Sequence, residues 1–492
     1  MTVRVVARVF PYLMAGALGC YKSDGAPTPA PSQSAMCGSS FPCAEVPRPG
    51  SSADRSAPAL TRLLWGTFVA INWPADTGAG RGIRADRPYT DTTGPRVWET
   101  WKQEWESSPK NLDDWDSYAA KRPPCDYVEE EPGNRQSVTA ADWPGIYRKY
   151  GTVLNLINTA SRDDKKSARR SGGPLIDGNG EYVRYEIRYN RELYDCLHHG
   201  AGDGCVNKPG EQLTFPAANA SKVGAISLKA AWRKMTPIEE AEKGSVYYMR
   251  RVLVVEFESA PGETKAKSVC RAETMGLVGM HIVYKHDHLK GPDAASPSNA
   301  WTWFTIEHKD NPPPCPKRRS KGRSSSFGRP WDSSFSYRPE PRTPESAPPA
   351  EPQPVWLCRE TATDEVTADE NRKFQEILSA YPPWGNYEFV TGQWRAGSTA
   401  NITRMANTII EPYAQRDSCM DCHTGNSQKT DFVWSLCIQR DWCNRRDNPR
   451  TKHVTRLFAT PGPSLASPEA GAPPGEPPDA YAVPDPWHFG EE

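Results

Sequence analysis

The chain has 492 residues, which is enough for two or three domains and a large hydrophobic core. Lysine plus arginine equals aspartate plus glutamate at 60 each, so the overall charge offers no field that would attract nucleic acid or an acidic substrate. Hydrophobic residues make up only 37% of the chain and prolines number 48, which indicates that part of it is not globular.

The first twenty residues are typical of a secretory signal peptide. Two arginines precede an apolar run over 9–18 that is too short for a mature transmembrane span. The run ends in a glycine and Cys20, as in bacterial lipoprotein signals, in which Cys20 would carry the lipid and become the mature N-terminus. Simple export is the alternative, because Ala17 stands where such signals usually have leucine. We therefore expect a periplasmic or outer-membrane protein of a Gram-negative bacterium.

Composition divides the rest of the chain into compact and Pro-rich segments. The Pro-rich segments lack apolar periodicity, so we expect them to be disordered. The basic cluster 317–323 is interpreted as solvated, with binding to an anionic surface as the alternative. The predicted boundaries are a signal peptide at 1–20, a disordered linker at 21–58, a β-rich α+β region at 59–312, a basic and Pro-rich insertion at 313–354, a second compact region at 355–450 and a Pro-rich tail at 451–492.

Apolar spacing predicts the helices. They are expected from Leu60 to a stop at 72–74, and over 97–106, 365–378 and 402–415. In the second of these, Trp98, Trp101 and Trp105 recur at i, i+3 and i+7. We interpret this tryptophan stripe as hydrophobic core, with a wall against a cofactor as the alternative.

Runs of β-branched and aromatic residues predict the strands. They are expected over 182–189, 246–257, 277–284, 301–308 and 386–394. The run 277–284 is apolar on both parities, which predicts a strand that is buried on both faces. Alternation along 301–308 places His308 on the same face as Phe304, and Glu307 on the same face as Trp303.

The motif with the most chemical content is Cys-Met-Asp-Cys-His at 419–423. Covalent haem attachment requires two thiols at this spacing, here Cys419 and Cys422, because each sulfur adds to a porphyrin vinyl group. The next residue, His423, would ligate the iron on the proximal side. A redox disulfide or half of a zinc site is the alternative, although the gap between Cys437 and Cys443 is unusual for a zinc knuckle. The sequence thus predicts one covalently attached haem c in the region 355–450, and export supports it because bacterial haem attachment is expected outside the cytoplasmic membrane.

The sixth iron ligand is left open by the sequence. No methionine follows Met420, so a distal ligand has to come from upstream. The candidates are Met405, Met280, His281 and His308. For each, the alternative is an ordinary structural role, as a core methionine, a hydrogen-bonded core histidine or a turn residue paired with Asp310. An open or water-ligated iron is a further alternative.

The remaining cysteines and histidines are interpreted as structural. Of thirteen cysteines, ten are left once Cys20 and the two haem cysteines are removed, and this allows up to five disulfides in an oxidising compartment. The short-range candidates are Cys37 with Cys43, Cys196 with Cys205, and Cys437 with Cys443. His198, His199, His286 and His288 are interpreted as solvated loop histidines rather than a second metal site.

Several separated motifs together resemble a known family. They are Trp65-x-x-Phe68-x-x-x-Asn72-Trp73-Pro74, Lys229-x-x-Trp232, Gly276-Leu277-Val278-Gly279-x-His281-Ile282-Val283, Trp301-x-Trp303-x-Thr305-x-Glu307-His308-x-Asp310-Asn311, and Asn407-Thr408-x-x-Glu411-x-Tyr413-x-Gln415-x-x-Ser418-Cys419-x-x-Cys422-His423. Over roughly residues 60 to 440 the chain is similar to the large bacterial cytochrome c family proteins. That resemblance implies an exported, single-haem protein of poorly characterised activity. Extra cysteines, the insertion before Val355 and the long tail depart from the family pattern and leave its partners open.

Two classes of function remain. Electron transfer in the cell envelope is the first expectation, with an unidentified redox partner and membrane contact through the lipid on Cys20. The alternative is a peroxidase-like or oxygenase-like haem enzyme, or a gas sensor, in which His281 or His308 is the distal acid/base and Glu307 orients it. Arg404 is a candidate to stabilise developing charge. No nucleophile elbow, phosphate-binding glycine loop or metalloprotease helix points to other chemistry.

The expected fold class is α+β. We predict a β-rich central region with flanking helices, followed by a C-terminal helical segment that binds haem c. The Pro-rich linker, insertion and tail are expected to lie outside this folded body.

Overall fold

The structure is a computed structural model. The residues it describes are 42–48, 57–76, 87–107, 114–116, 124–156, 175, 177, 179–208, 211–258, 267–286, 301–311, 359, 362–393, 407–412, 415, 419, 423, 430–433 and 435–436. The predicted signal peptide, the insertion 313–354, the tail and most of the linker lie outside these residues. Within the described part, no helix has both the length and the apolar character needed to cross a bilayer.

The helices of the described part are short and mostly capped by side chains. They are α1 (Ala57–Ile71), α2 (Trp143–Tyr150), α3 (Arg191–His199), α4 (Pro237–Glu242) and α5 (Glu365–Leu378), with 3₁₀ turns at Val97–Thr100, Glu104–Ser107 and Trp384–Asn386. Asp364 caps α5, because its carboxylate accepts the backbone N–H of Thr367 at 2.9 Å. α1 ends where predicted, and the amide of Asn72 donates back to the carbonyl of Phe68 at 2.7 Å.

Ten strands in the described residues form one mixed sheet. They are β1 (Lys102–Gln103), β2 (Tyr127–Glu129), β3 (Arg135–Ser137), β4 (Val153–Leu154), β5 (Arg184–Tyr189), β6 (Ile226–Lys234), β7 (Met249–Glu258), β8 (Lys267–Lys285), β9 (Trp301–His308) and β10 (Tyr387–Gln393). The sheet and the helices together confirm the α+β class. β10 comes from the region after the insertion, so both compact regions contribute to the same sheet.

β8 is the strand around which this sheet is built. Its first half pairs antiparallel with β7 and parallel with β2. Its second half pairs antiparallel with β6 on one edge and with β9 on the other. β5 and β1 continue the sheet beyond β6, and β10 continues it beyond β9. Residues of both parities are buried over 275–280, which confirms the predicted double burial for the first half of the run 277–284. In the second half the odd-numbered residues His281 and Val283 are only partly buried.

The two faces of the sheet carry different layers. From Met280 to the end of β8, and along β9, apolar even-numbered residues such as Ile306 belong to the largest apolar cluster, which also contains α1 and α5 residues. Odd-numbered residues of these two stretches point the other way. We call this second surface the site face and define it by Lys229 of β6, His281 of β8 and Trp303 of β9.

Residues 97–106 do not form the predicted helix. They make a 3₁₀ turn, β1 and a second 3₁₀ turn. The buried guanidinium of Arg188 donates to the carbonyls of Glu99 at 2.6 Å and Trp101 at 2.8 Å, and a helix would have used such carbonyls internally. The tertiary contact therefore overrides the local pattern. The three tryptophans of this stretch are all buried, which confirms their interpretation as core.

Two disulfides join described cysteines. The predicted Cys196–Cys205 bond closes the end of α3. Cys125–Cys270 was not predicted, since its partners are separated by 145 residues and meet only because β2 pairs with β8. Cys43 is also disulfide-bonded. The other cysteines of the predicted short-range pairs, which lie outside the described residues, are Cys37, Cys437 and Cys443.

Candidate functional site

Described residues on both sides of the Cys-x-x-Cys-His motif contact the site face. The part before the motif, 407–412, is fixed at the middle of the face by β9 and β5. The buried carboxylate of Glu307 accepts the hydroxyl of Thr408 at 3.0 Å and also its backbone N–H. The hydroxyl of Tyr185 donates to the carbonyl of Ile409 at 2.7 Å. These bonds connect residues at least 101 positions apart and set the path of the chain toward the motif.

Residues 407–412 form turns rather than part of the predicted helix 402–415. The side-chain oxygen of Asn407 accepts the backbone N–H groups of Ile409 at 2.9 Å and Ile410 at 2.7 Å. An asparagine in this geometry makes a local turn that competes with helical hydrogen bonds. The amide of Asn407 also donates to the hydroxyl of Thr305 on β9. The turn is thus anchored to the sheet.

Asp431 fixes the segment after the motif to the far end of the site face. Its buried carboxylate pairs with the ammonium of Lys285 and accepts the indole N–H of Trp301 at 3.2 Å and the backbone N–H of Phe215 at 2.8 Å. Burial raises the pKa of Asp431, and the charge of Lys285 opposes that rise. Asp431 and Phe432 have φ angles of 49° and 67°, a region that residues other than glycine seldom adopt. The contacts of Asp431 therefore hold a strained loop in place.

That loop positions the histidine of the motif. Nδ1 of His423 lies 2.6 Å from the carbonyl oxygen of Phe432. A carbonyl can only accept, so Nδ1 carries the proton and Nε2 keeps a lone pair for another partner. Burial lowers the pKa of His423, while the bond to Phe432 opposes this, so the imidazole is held neutral near pH 7. Metal-binding histidines have this arrangement, with one nitrogen bonded to the protein and the other directed at the metal.

An apolar cluster lines the site face beside His423. The indole ring of Trp303 is 6.0 Å from the imidazole of His423, centroid to centroid. Cys419 is partly buried against this cluster, whereas Cys422 lies outside the described residues. The other large members of the cluster are Tyr189, Leu193, Leu213, Phe215, Trp301, Phe432, Val433 and Leu436. Such a surface would exclude water from a bound porphyrin.

Of the three distal candidates that the structure describes, His281 is the one on the site face. It pairs across the sheet with Lys229 of β6 and Thr305 of β9. Its Nδ1 is 4.0 Å from a carboxylate oxygen of Glu411, and its Nε2 is a buried atom with no hydrogen-bond partner. Burial lowers the pKa of His281 to about 3, and the nearby charge of Lys229 lowers the pKa of both His281 and His423. The two imidazoles and the ammonium therefore lie close together.

The two other described candidates, Met280 and His308, lie on the opposite face of the sheet. Met280 is on the opposite face, buried in the main apolar cluster. His308 is also on that face, where its Nε2 bonds the carbonyl of Val246 at 3.0 Å and its Nδ1 accepts the backbone N–H of Asp310 at 3.1 Å. Both ring nitrogens of His308 are thus used in the turn that follows β9. Met405 lies outside the described residues.

The carboxylate next to His281 is not the one expected from the sequence. Glu307 is engaged by Arg359 at 2.9 Å and by the Thr408 hydroxyl. Burial raises the pKa of Glu307, and Arg359 opposes the rise. Glu411 takes the position beside His281 instead. Glu411 was named in the sequence only as part of the motif Asn407-Thr408-x-x-Glu411, without a role. Arg404 lies outside the described residues.

The four histidines that were predicted to be solvated have different surroundings. His198 and His199 are in the last turn of α3, not in a loop, and their nitrogens lie within 4.8 Å of each other and of a carboxylate oxygen of Asp114. His199 and Asp114 are exposed. His286 is buried at the end of β8, with its ring 3.9 Å from that of Tyr284, so its interpretation as a solvated histidine is wrong. His288 lies outside the described residues.

Comparison with known proteins gave no match, whether to protein-family models, to curated proteins or to solved structures. The class of site is therefore defined by its geometry. It is a partly buried, neutral histidine with a fixed tautomer on an apolar sheet face, and a second neutral histidine, His281, lies on the same face.

Proposed function

We propose that the protein is an exported monohaem c-type cytochrome that transfers electrons in the cell envelope. Cys419 and Cys422 would form the two thioethers of haem c, and His423 would be the proximal iron ligand. When bound, the haem supplies reversible one-electron oxidation and reduction. Each thiol would add across one vinyl group, with its sulfur bonded to one carbon and its hydrogen transferred to the other.

The observation that carries this proposal is the bond between His423 Nδ1 and the carbonyl of Phe432. This bond places the proton of the imidazole on Nδ1 and its lone pair on Nε2, which is the form that a proximal iron ligand requires. The hydrogen bond at Nδ1 also increases the basicity of Nε2. The position of His423 directly after the second cysteine of the motif supports the same role.

The surroundings of His423 fit a porphyrin. Trp303 provides a flat apolar surface 6.0 Å from the imidazole, and Cys419 is partly buried in the same cluster. The pair of Asp431 and Lys285 holds the loop that supplies the Phe432 carbonyl. These residues would orient His423 and exclude water from the haem, and both effects would keep the reorganisation energy of electron transfer small.

The export signal supports the same assignment. A mature N-terminus at Cys20 with a lipid would hold the folded body at the membrane through the linker 21–58. Covalent haem attachment would then occur in the compartment to which the signal sends the chain. The disulfides Cys196–Cys205 and Cys125–Cys270 also suit an oxidising compartment.

A haem enzyme or gas sensor is the second candidate function. Lys229 and Glu411 favour it, because an ammonium and a carboxylate beside His281 are groups that could move protons or stabilise charge on a bound peroxide or oxygen. This function needs an open iron position. It is distinguished from electron transfer by whether carbon monoxide binds the reduced protein.

The test of haem attachment is a denaturing gel stained for haem. The protein should be expressed with its signal peptide in a bacterium that matures c-type cytochromes. We expect the wild type to retain stain, and the double variant Cys419→Ser with Cys422→Ser to lose it. The double variant Cys125→Ser with Cys270→Ser, which removes a disulfide from a different apolar cluster, is the matched control and should keep the stain. Covalent stain in the Cys419 and Cys422 double variant would refute the proposal.

A further inference from the structure

We propose that Nε2 of His281 is the sixth ligand of the haem iron, which makes the centre a bis-histidine site. This inference rests on the proposed function, since it needs haem bound through His423. It identifies the distal side of the site, which the sequence left among four residues and an open position.

The placement follows from the register of the sheet. His281 is on β8, the central strand, and its cross-strand neighbours are Lys229 and Thr305. Thr305 bonds Asn407, the residue that begins the turn before the motif. Trp303 is two residues along β9 from Thr305, on the same face, and its ring is 6.0 Å from that of His423. His281 is therefore on β8, and the loop that holds His423 is fixed to β8 and β9 through Lys285 and Trp301.

The nitrogen that would bind iron is the one without a partner. Nε2 of His281 is buried and makes no hydrogen bond, which is costly for a polar atom in an interior. The side chain is only 16% exposed, so water has little access to it. Nδ1 faces the carboxylate of Glu411 at 4.0 Å, and a carboxylate on this side is the usual outer partner of a metal-binding imidazole. A metal on Nε2 would satisfy the atom that the protein leaves bare.

The described competitors are excluded by their contacts. His308 uses both ring nitrogens on the opposite face, and Met280 is in the apolar cluster there. Lys229 directs its ammonium over the ring of Tyr185, 4.9 Å from the centroid. Met405, which lies outside the described residues, is the competitor that the experiment has to separate.

The experiment compares absorption and electron paramagnetic resonance spectra of the matured wild type and of His281→Ala, His281→Met and Met405→Leu. We expect the wild type and Met405→Leu to be low-spin and unaffected by carbon monoxide when reduced. His281→Ala should become high-spin and bind carbon monoxide, and added imidazole should restore the low-spin spectrum. His281→Met, which keeps the volume of the side chain, should show the weak long-wavelength band of methionine-to-iron ligation.

Haem staining of the same samples distinguishes a failure of haem attachment from a wrong assignment of the sixth ligand. If His281→Ala keeps its stain and its low-spin spectrum, another residue is the ligand and this inference is wrong, while the proposed function stands. A wild type that is high-spin and binds carbon monoxide also overturns the inference, and it favours the enzyme or sensor. A wild type without covalent stain overturns the proposed function itself.

Discussion

His423 donates from Nδ1 to the backbone carbonyl of Phe432 over 2.6 Å, nine residues further along the chain. This bond closes a loop whose conformation at Asp431 and Phe432 has positive φ. The hydrogen bond to the carbonyl of Phe432 therefore sets the tautomer of His423. The contacts of Asp431 with the sheet hold the loop that carries this carbonyl in place. Each part of this arrangement can be tested by a separate substitution.

The pair of Asp431 and Lys285 should show strong coupling. Each single change, Asp431→Asn or Lys285→Met, leaves one buried charge without its partner, so we expect a loss of about 3–5 kcal/mol in the free energy of unfolding. The double variant should lose less than the sum of the two single losses, because no isolated charge remains. Urea unfolding of the four proteins measures this. Additive losses would show that the two charges do not interact.

Lys229→Met should lower the midpoint potential of the haem. The ammonium lies near both imidazoles, and a positive charge there favours the reduced iron over the oxidised iron. Methionine keeps most of the side-chain volume but removes the charge. A spectroelectrochemical titration measures the potential, and Lys234→Met, a partly exposed lysine on the same strand, is the control. An unchanged or raised potential in Lys229→Met would contradict the assigned position of the charge.

His308→Gln should leave the spectrum unchanged and reduce stability. Both ring nitrogens of His308 bond the backbone around the turn after β9, so the change should cost about 1–3 kcal/mol in the free energy of unfolding. The spin state and the response to carbon monoxide should remain those of the wild type. A high-spin His308→Gln would move the sixth ligand to this residue.

Glu239 should make the fold less stable as the pH is lowered from 4.5 to about 2. Burial raises the pKa of Glu239, but hydrogen bonds from Arg233 and from the backbone of Thr236 outweigh this and lower it to about 2. The unfolded value is 4.5, so the pair stabilises the fold above that pH and the contribution is lost as pH falls from 4.5 to 2. Unfolding of Glu239→Gln should therefore depend less on pH in this window than unfolding of the wild type. Equal slopes would contradict the shift.

Local sequence patterns predicted the bounds of those elements in which the spacing of apolar residues alone decides which side is buried. The strand 301–308 and the helix 365–378 were predicted with the bounds that the structure has. Residues 97–106 have an equally clear helical spacing, but the guanidinium of Arg188 binds the carbonyls on which a helix depends. In 407–412 the side chain of Asn407 does the same to the backbone N–H groups. A spacing argument cannot include a partner that arrives from another part of the chain.

The candidate site divides in the same way. The residues of the motif are adjacent in sequence, so Cys419, Cys422 and His423 could be proposed from spacing alone. The surroundings of His281 could not, because Lys229 reaches it through strand pairing and Glu411 through a turn 130 residues later. The sequence did place His281 on a doubly buried strand. Only the register shows that its side chain is on the site face.

Covalent haem attachment is tested most directly by the intact mass of the exported, matured protein under denaturing conditions. We expect the mass of the mature polypeptide plus one haem, and loss of that added mass in the double variant Cys419→Ser with Cys422→Ser. A wild-type mass equal to that of the polypeptide without haem, from a strain that matures other c-type cytochromes, would contradict covalent attachment.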